Sequence, residues 1–396
     1  MNASIISANP SGRIPEPHWL VAFLRLVPDP RVNRTKKHAL PDLLMAALCA
    51  GLCGYSSFYD MEDFCRVHLD WLRRYCPFAG GVPSHDTFRR VLGLVSPLHF
   101  GNVFVLWARL AGATPGGGQI AIDGKALRRA LGADGRVPYI VNAFSTKAHL
   151  VLGQLKVLDK ENETIAIPRL LDLLDVKGAL VSIDAIGCQT RIAAKICRKG
   201  GDYLLALKAN QPAAFGEMRA FMLDALARGA EHLAQAHSVD KEHGRFEERT
   251  CWVSPKIDWF ADRRKWSGLA CVVMVESRRT VKGVTATEQR YYLSSRHLSA
   301  AEALEAVRAH WGVETLHWVL DIVMDEDHSR ARTGHAPENL AILRRLAVNI
   351  LRRERDSDPP DQPPRRYKAL RLAAACNETF LGHLLATPPP PKTACA

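Results

Sequence analysis

The chain has 396 residues, 47% of them hydrophobic, which is enough for two or three domains with a sizeable core and excludes global disorder. Lys and Arg total 53 against 41 Asp and Glu, a formal net charge of +12 with a pI near 9.3, which favours polyanionic partners, nucleic acid first. Ten cysteines without a CxxC pair argue against a zinc finger and read as reduced thiols.

The N-terminus is polar, holds Pro10, Pro15 and Pro17, and carries no secretory signal, so the expected location is the cytoplasm. Residues 1–112 read as an all-helical region. It opens on a basic entry with Arg31, Arg34, Lys36 and Lys37. A helix starts at Leu40; its apolar stretch from Leu43 to Tyr55 is too short to cross a bilayer, and Cys49 and Cys53 lie one turn apart in it. An amphipathic helix follows around Ser57–Arg74. Pro83-Ser84-His85-Asp86-Thr87 predicts a turn and a helix start, with Ser84 or Asp86 as cap.

Thr114-Pro115-Gly116-Gly117-Gly118 is the clearest linker. Beyond it, apolar and β-branched runs predict strands at Gln119–Asp123, Tyr139–Phe144, Leu150–Val157, Ala179–Asp184 and Tyr203–Leu207. Helices are predicted at Ile167–Leu174 and Gln189–Cys197. Three early strands followed by alternating helix and strand indicate an α/β fold with a mixed sheet. Residues 211–300 then carry a helix at Ala214–Arg228 and strands at Phe246–Val253, Gly268–Glu276 and Arg290–Ser294, a β-rich insertion. Ser299 caps a helix predicted to run from Ala300 to about Val323, and another runs from Pro337 to Arg353. A Pro-rich linker, one basic helix over Arg365–Leu385 and a proline tail complete the chain, so the expected divisions are 1–112, 113–354 and 355–396.

Ile120-Ala121-Ile122-Asp123-Gly124 and Val181-Ser182-Ile183-Asp184-Ala185 share one logic: a buried-strand run that ends in an aspartate and then a small residue. In a mixed sheet two such strand ends can lie side by side. Paired carboxylates repel and raise each other's pKa unless cations intervene. Magnesium prefers hard oxygen ligands, and two ions roughly 3.5–4 Å apart can activate an attacking oxygen and stabilise a leaving one. A third acid, Glu314, is available from His310-Trp311-Gly312-Val313-Glu314-Thr315-Leu316-His317-Trp318. For either aspartate alone, a turn former or helix cap is the competing explanation. The helix itself repeats His310, Glu314, His317, Asp321 and Asp325 at helical steps, which also suits a solvated face. Glu314-x-x-His317 and Asp325-x-x-His328 further resemble the ligand pairs of di-iron bundles, a fold that needs four ligand-bearing helices.

At these residues the chain resembles DDE-type transposases of bacterial insertion sequences, in the H-repeat-associated (ISAs-type) branch. The resemblance spans about residues 20–385. It is carried by Pro83 through Arg90, Ile122-Asp123-Gly124-Lys125, Asp184 through Gln189, Gly201-Asp202-Tyr203, Lys208-Ala209-Asn210-Gln211, His243-Gly244-Arg245, His310 through Asp321, Asn339-Leu340-Ala341 and Arg344-Arg345. It implies a ribonuclease-H-like catalytic domain with the β-rich insertion, an N-terminal transposase-associated helical domain, and Asp123, Asp184 and Glu314 as catalytic, metal-holding acids for two Mg2+ or Mn2+ ions. The implied reaction is nicking at the element's ends and attack of a freed 3′-hydroxyl on target DNA, by a homo-oligomer assembled on DNA near the bacterial nucleoid.

One departure stands out. Where the broader superfamily places Tyr, Arg and Lys around the glutamate, this chain has Val307, His310 and Asp321. Arg308, His310 and His317 are candidate substitutes for DNA contact. Lys125, Arg128, Arg129, Lys208, Asn210, Gln211, His243 and Arg245 are further DNA-contact candidates, with solvated surface or loop capping as the alternative for each. The basic entry and Arg365, Arg366, Lys368 and Arg371 suit phosphate contacts, which orient DNA without reading sequence. A metal-dependent endonuclease without strand transfer, and a catalytically silent DNA-binding protein, are the alternative functions.

Overall fold

The computed structural model describes residues 18–112, 117–131, 135–157, 163–242, 245–281, 283–359 and 361–386. The first part of the predicted linker and His243 lie outside these residues, and so does the side chain of Arg245. Contacts divide the chain into two compact units: residues 1–112, 127–137 and 318–396 form one, and 113–126 with 138–317 the other.

The first unit is helical. It opens with α1 (His18–Arg25), α2 (Leu40–Leu52), α3 (Phe58–Leu72), α4 (His85–Leu94) and α5 (Pro97–Leu110). Helix α2 is apolar on nearly every side and is buried accordingly, Cys49 and Cys53 included. Ser57 and Asp60 form a reciprocal capping box at the start of α3. Ser84, not Asp86, caps α4, its hydroxyl accepting from the Thr87 amide at 3.3 Å.

The second unit is built on β1 (Gln119–Ala126), β2 (Tyr139–Ser145), β3 (Leu150–Val157), α6 (Glu163–Leu173), β4 (Leu180–Ile183), α7 (Thr190–Arg198), β5 (Asp202–Leu207) and α8 (Pro212–Ala227). It continues with β6 (Ala234–Glu242), β7 (Arg245–Ser254), β8 (Cys271–Val281), β9 (Val284–Ser294), α9 (Ala300–His310) and α10 (Gly312–Trp318). The nine strands make one mixed sheet in the order β3-β2-β1-β4-β5-β9-β8-β7-β6. Strands β1 to β3 are antiparallel, β4 and β5 run parallel to β1, and β9 joins β5 antiparallel. The first five strands thus have the ribonuclease-H-like arrangement, and the insertion extends the same sheet. Helix α9 packs across β1, β4, β8, β7 and β6, burying Ala303, Leu304 and Val307 against Leu204, Val253 and Val273. Each buried Leu or Val contributes roughly 1.5–3 kcal/mol.

The helical unit resumes with α11 (Ala336–Asp356), α12 (Tyr367–Cys376) and α13 (Glu378–Ala386). Among the described residues no single helix is long and apolar enough to cross a membrane.

Several expectations need correction. Strand β6 had no signal in the sequence, because Ala234–Glu242 is a polar run on the sheet's outer edge. Strand β1 runs on past Asp123 to Ala126. The helix expected over Ala300–Val323 is broken. Helix α9 stops at His310, α10 begins at Gly312, and Val319–Val323 is a π turn. A Cβ at Gly312 would stand 3.1 Å from the Phe144 ring, so glycine allows this close passage over β2. The proposed polar stripe is therefore not one helix face. The basic helix over Arg365–Leu385 is two helices, parted at Asn377, whose side chain accepts from the Phe380 amide at 3.0 Å.

Candidate active site

The parallel ladder between β1 and β4 sets two acids beside each other. Its last register pair is Ile122 with Ile183. The next residue on each strand is Asp123 and Asp184. Beyond that point β1 continues only with β2, where Asp123 pairs with Asn142. Asp123 is thus at a fork in the sheet, and Asp184 is the first residue after β4. Asp184 heads a 3-10 turn over Ala185–Gly187, yet its side chain makes no capping bond there, so helix capping does not account for it. Glu314 stands exposed in the first turn of α10. All three acids line one cleft of about 580 Å3, together with Lys208, Arg290 and Trp311.

The surroundings orient the pair. One Asp123 oxygen accepts from the Gly124 amide at 2.9 Å, and His317 Nδ1 lies 3.7 Å from the other. The Asn142 amide nitrogen is 3.3 Å from His317 Nε2. An amide NH2 only donates, so Nε2 accepts and the ring proton sits on Nδ1, toward Asp123. The segment after Asp184 is tied down by two side chains from beyond β5. Asn210 donates to the Ala185 carbonyl at 2.6 Å, and Gln211 to the Cys188 carbonyl at 3.0 Å. Both residues hold the Asp184 turn, which is the loop-capping alternative.

His310 is not a cation here. Burial first, and then the charge of Arg290, push its pKa down to about 4, and its Nδ1 is 2.9 Å from the Ser182 hydroxyl. It lines the cleft as a neutral imidazole. Arg308 pairs with Asp240 on β6 at 2.8 Å and lies outside the cleft lining. Sequence reasoning missed Arg249 and Arg290, whose guanidinium carbons stand 5.2 and 5.3 Å from the Trp311 ring centre. Each such contact contributes roughly 0.5–2 kcal/mol. Arg249 also bonds Glu247 and Asp240, and Arg290 bonds Glu288. The available signal was Arg290 beside Tyr291 and Tyr292, a cation next to aromatics at a strand's apolar end.

Other candidates fall elsewhere. Lys125 is buried, and its ammonium donates to the Ala126 carbonyl at 3.3 Å, so neither phosphate contact nor a solvated surface describes it. Arg128 and Arg129 are exposed and belong to the helical unit, where Arg128 lies 3.5 Å from Asp327. Lys208 is exposed on the cleft. In the basic entry, the Arg31 side chain is buried and bonded to Asp29 and the His38 carbonyl. Near the C-terminus, Arg365 pairs with Glu354 and Asp358, and Arg371 donates to the Gly51 carbonyl. These three arginines hold the fold. Arg34, Lys37, Arg366 and Lys368 are exposed. The di-iron alternative fails because Glu314 and His317 sit beside a sheet, and Asp325 and His328 belong to the other unit.

Among the described residues, no three Asp, Glu, His or Cys side chains converge closely enough to hold a metal ion by themselves. The donor set lining the cleft is nevertheless carboxylate oxygen, which suits a hard divalent cation. Such ions are commonly held by one or two carboxylates, with water and substrate phosphate completing the shell. Two carboxylates at the ladder end and an exposed third on the cleft wall fit that mode.

Comparison with known proteins agrees with this frame. Residues 116–350 match the family described as Transposase DDE domain, and residues 21–108 match its associated domain, DDE_Tnp_1-associated. An uncharacterized protein of Xanthobacter autotrophicus is 42% identical over 73% of this chain and 98% of its own length. The "H repeat-associated putative transposase YhhI" of Escherichia coli K12 is 40% identical over 84% of this chain and 90% of its own. The "Putative transposase YncI" of Escherichia coli O157:H7 is 37% identical over 91% and 95%. The piggyBac transposase, solved in a synaptic complex with hairpin DNA, is a far looser likeness, with a TM-score of 0.40 at 9% identity over 92% of this chain and 76% of that one. The chain therefore belongs to the DDE-domain transposase family, alongside the H-repeat-associated proteins.

Proposed function

We propose that this transposase nicks DNA at the ends of its insertion sequence and joins the freed 3′-hydroxyls to target DNA, using Asp123, Asp184 and Glu314 to hold Mg2+ or Mn2+. The observation that carries the reading is the β1–β4 register, which brings two aspartates from distant sequence to one ladder end in a cleft that Glu314 also lines. Bound divalent ions would supply Lewis-acid activation of the attacking oxygen and charge neutralisation at the leaving oxygen.

The protein's own residues position the reactants. His317, fixed by Asn142, orients Asp123; Asn210 and Gln211 hold the turn that carries Asp184. Lys208 and Arg290 offer cations to phosphates entering the cleft. In the first step a water oxygen bonds to phosphorus as the bond to the 3′ oxygen breaks, leaving a 3′-hydroxyl and a 5′-phosphate. In the second, that hydroxyl attacks a target phosphodiester, which loses its own 3′ oxygen. Both are in-line displacements, so one site serves both.

In this reading residues 113–354 are the catalytic domain with its insertion at 211–300, residues 1–112 the associated helical domain, and 355–396 the Pro-rich linker, basic helical segment and tail. Pairing two element ends requires more than one copy on the DNA. The test is cleavage of a duplex carrying the element's own end, with Mg2+ or Mn2+, by wild type and by Asp184→Asn. The reading predicts metal-dependent nicking at the junction, lost in the variant while DNA binding persists. Nicking without joining would leave a nuclease. Binding without cutting in either metal would leave the catalytically silent alternative, the condition named for one relative, "Inactive transposase YbfQ", 38% identical over 73 residues.

A further inference from the structure

A basic groove lies within the helical unit. Two adjoining cavities, of about 430 and about 590 Å3, share Arg89 and Thr333 in their walls. Arg330 and Arg332 line the first, and Arg90 lines the second. All four arginines are exposed. Arg89 is offset by Asp86 at 2.8 Å, and the groove's other acid, Asp325, is engaged by His328 at 2.7 Å and by the Ser56 hydroxyl at 3.2 Å. Among the described residues Arg90, Arg330 and Arg332 have no acidic partner within ion-pair distance.

The arginines are held on a fixed frame. Ala331 is buried between the exposed Arg330 and Arg332, which anchors the segment while both arginines face solvent. The segment closes against α4: the His335 amide donates to the Gly93 carbonyl at 3.0 Å, and Asn339 donates to the Leu92 and Val95 carbonyls at 2.8 and 2.9 Å. Gly334 has φ +50°, and a Cβ there would collide with the Gly93 carbonyl, so only glycine permits this approach. Tyr59 stands on the rim, 64% exposed and stacked on His85 at 4.1 Å.

We propose that this groove binds the phosphate backbone of DNA, with Arg90, Arg330 and Arg332 as the phosphate contacts, as a surface of the helical unit separate from the acid-lined cleft. Charge complementarity selects the occupant: three guanidiniums without an acidic partner, one on α4 and two on the segment braced against it, match a polyanion with regularly spaced phosphates. The contacts orient DNA and read no sequence. The inference rests on the reading of the protein as one that acts on DNA.

The experiment is the salt dependence of binding by the full chain to a labelled duplex of about 30 base pairs in metal-free buffer, where each lost phosphate contact lowers the slope of log K against log salt by about 0.9. Arg330→Gln with Arg332→Gln is expected to lower the slope by about 1.8. Arg330→Lys with Arg332→Lys, which keeps the charge, is expected to restore most of it. If wild type and the Gln double variant share one slope and one affinity, the groove is not a DNA surface, whatever becomes of the acid cleft. If wild type shows no salt-dependent binding at all, the DNA-acting reading falls and this inference falls with it.

Discussion

The two halves of the sheet differ in what holds them. Strands β3-β2-β1-β4-β5 are largely buried, and their apolar runs enclose only a few polar side chains such as Asn142, Gln154 and Ser182. Strands β9, β8 and β7 are buried mainly at one end, around Tyr291–Ser294, Cys271–Val275 and Cys251–Ser254, and β6 is half-buried or exposed. Toward the hairpin end, β8 and β9 carry Ser277, Arg278, Arg279 and Thr285 through Gln289, which are mostly exposed. The same backbone ladder runs through both, so hydrogen bonding is not the difference. Burial holds the first half together, and cross-strand polar pairs such as Thr280 with Thr285, 2.7 Å apart, hold the end of the second. Asp123 and Asp184 sit in the buried half, at the point where β1 loses one partner and keeps the other.

The sharpest way to break this contrast is to truncate one residue in each half. Leu204→Ala, at a side chain 1% exposed, is expected to cost about 2–5 kcal/mol in denaturant unfolding. Val239→Ala, on the exposed edge strand, should stay within about 0.5 kcal/mol. Equal losses would mean that the outer strands are as tightly packed as the inner ones. A smaller effect is expected where the buried half meets the site. Asn210→Ala or Gln211→Ala should lower nicking by about 10-fold or more, with roughly 0.5–1.5 kcal/mol of stability lost. A loss of stability with unchanged nicking would make these bonds structural only.

A further effect concerns pH. His310 has its pKa lowered from 6.5 to about 4 in the folded protein. As pH falls through 6.5, the unfolded chain binds that proton before the folded one does, so stability declines toward pH 4. His310→Asn is expected to flatten that part of the stability curve. An unchanged slope would show that the imidazole titrates normally.

What was legible in the sequence follows the same division. The runs Ile120–Asp123 and Val181–Asp184 announce buried strands because both faces are covered, and the acids that end them stand out against apolar neighbours. Strand β6 was not legible, since a polar edge strand has no burial to impose a period. The break between α9 and α10 was hidden for another reason. Gly312 sits in a stretch with a continuous helical pattern, and it is the Phe144 ring on a distant strand that makes glycine necessary there. The meeting of Arg249 and Arg290 at Trp311 was not legible, because it is the β7-β8-β9 ladder that brings them there; the aromatic neighbours of Arg290 were its one local signal. Lys125 and Arg31 looked like surface cations because a sequence does not show which lysine or arginine folding will bury.

The central claim is that Asp123, Asp184 and Glu314 form one metal site. The most direct test is titration of the full chain with Mn2+, followed by the paramagnetic signal of the free ion. Asp123→Asn, Asp184→Asn and Glu314→Gln would be compared with wild type at matched folded fraction. The account predicts saturable binding in wild type that each single substitution weakens by at least about 10-fold. Wild-type affinity retained in all three variants would contradict it.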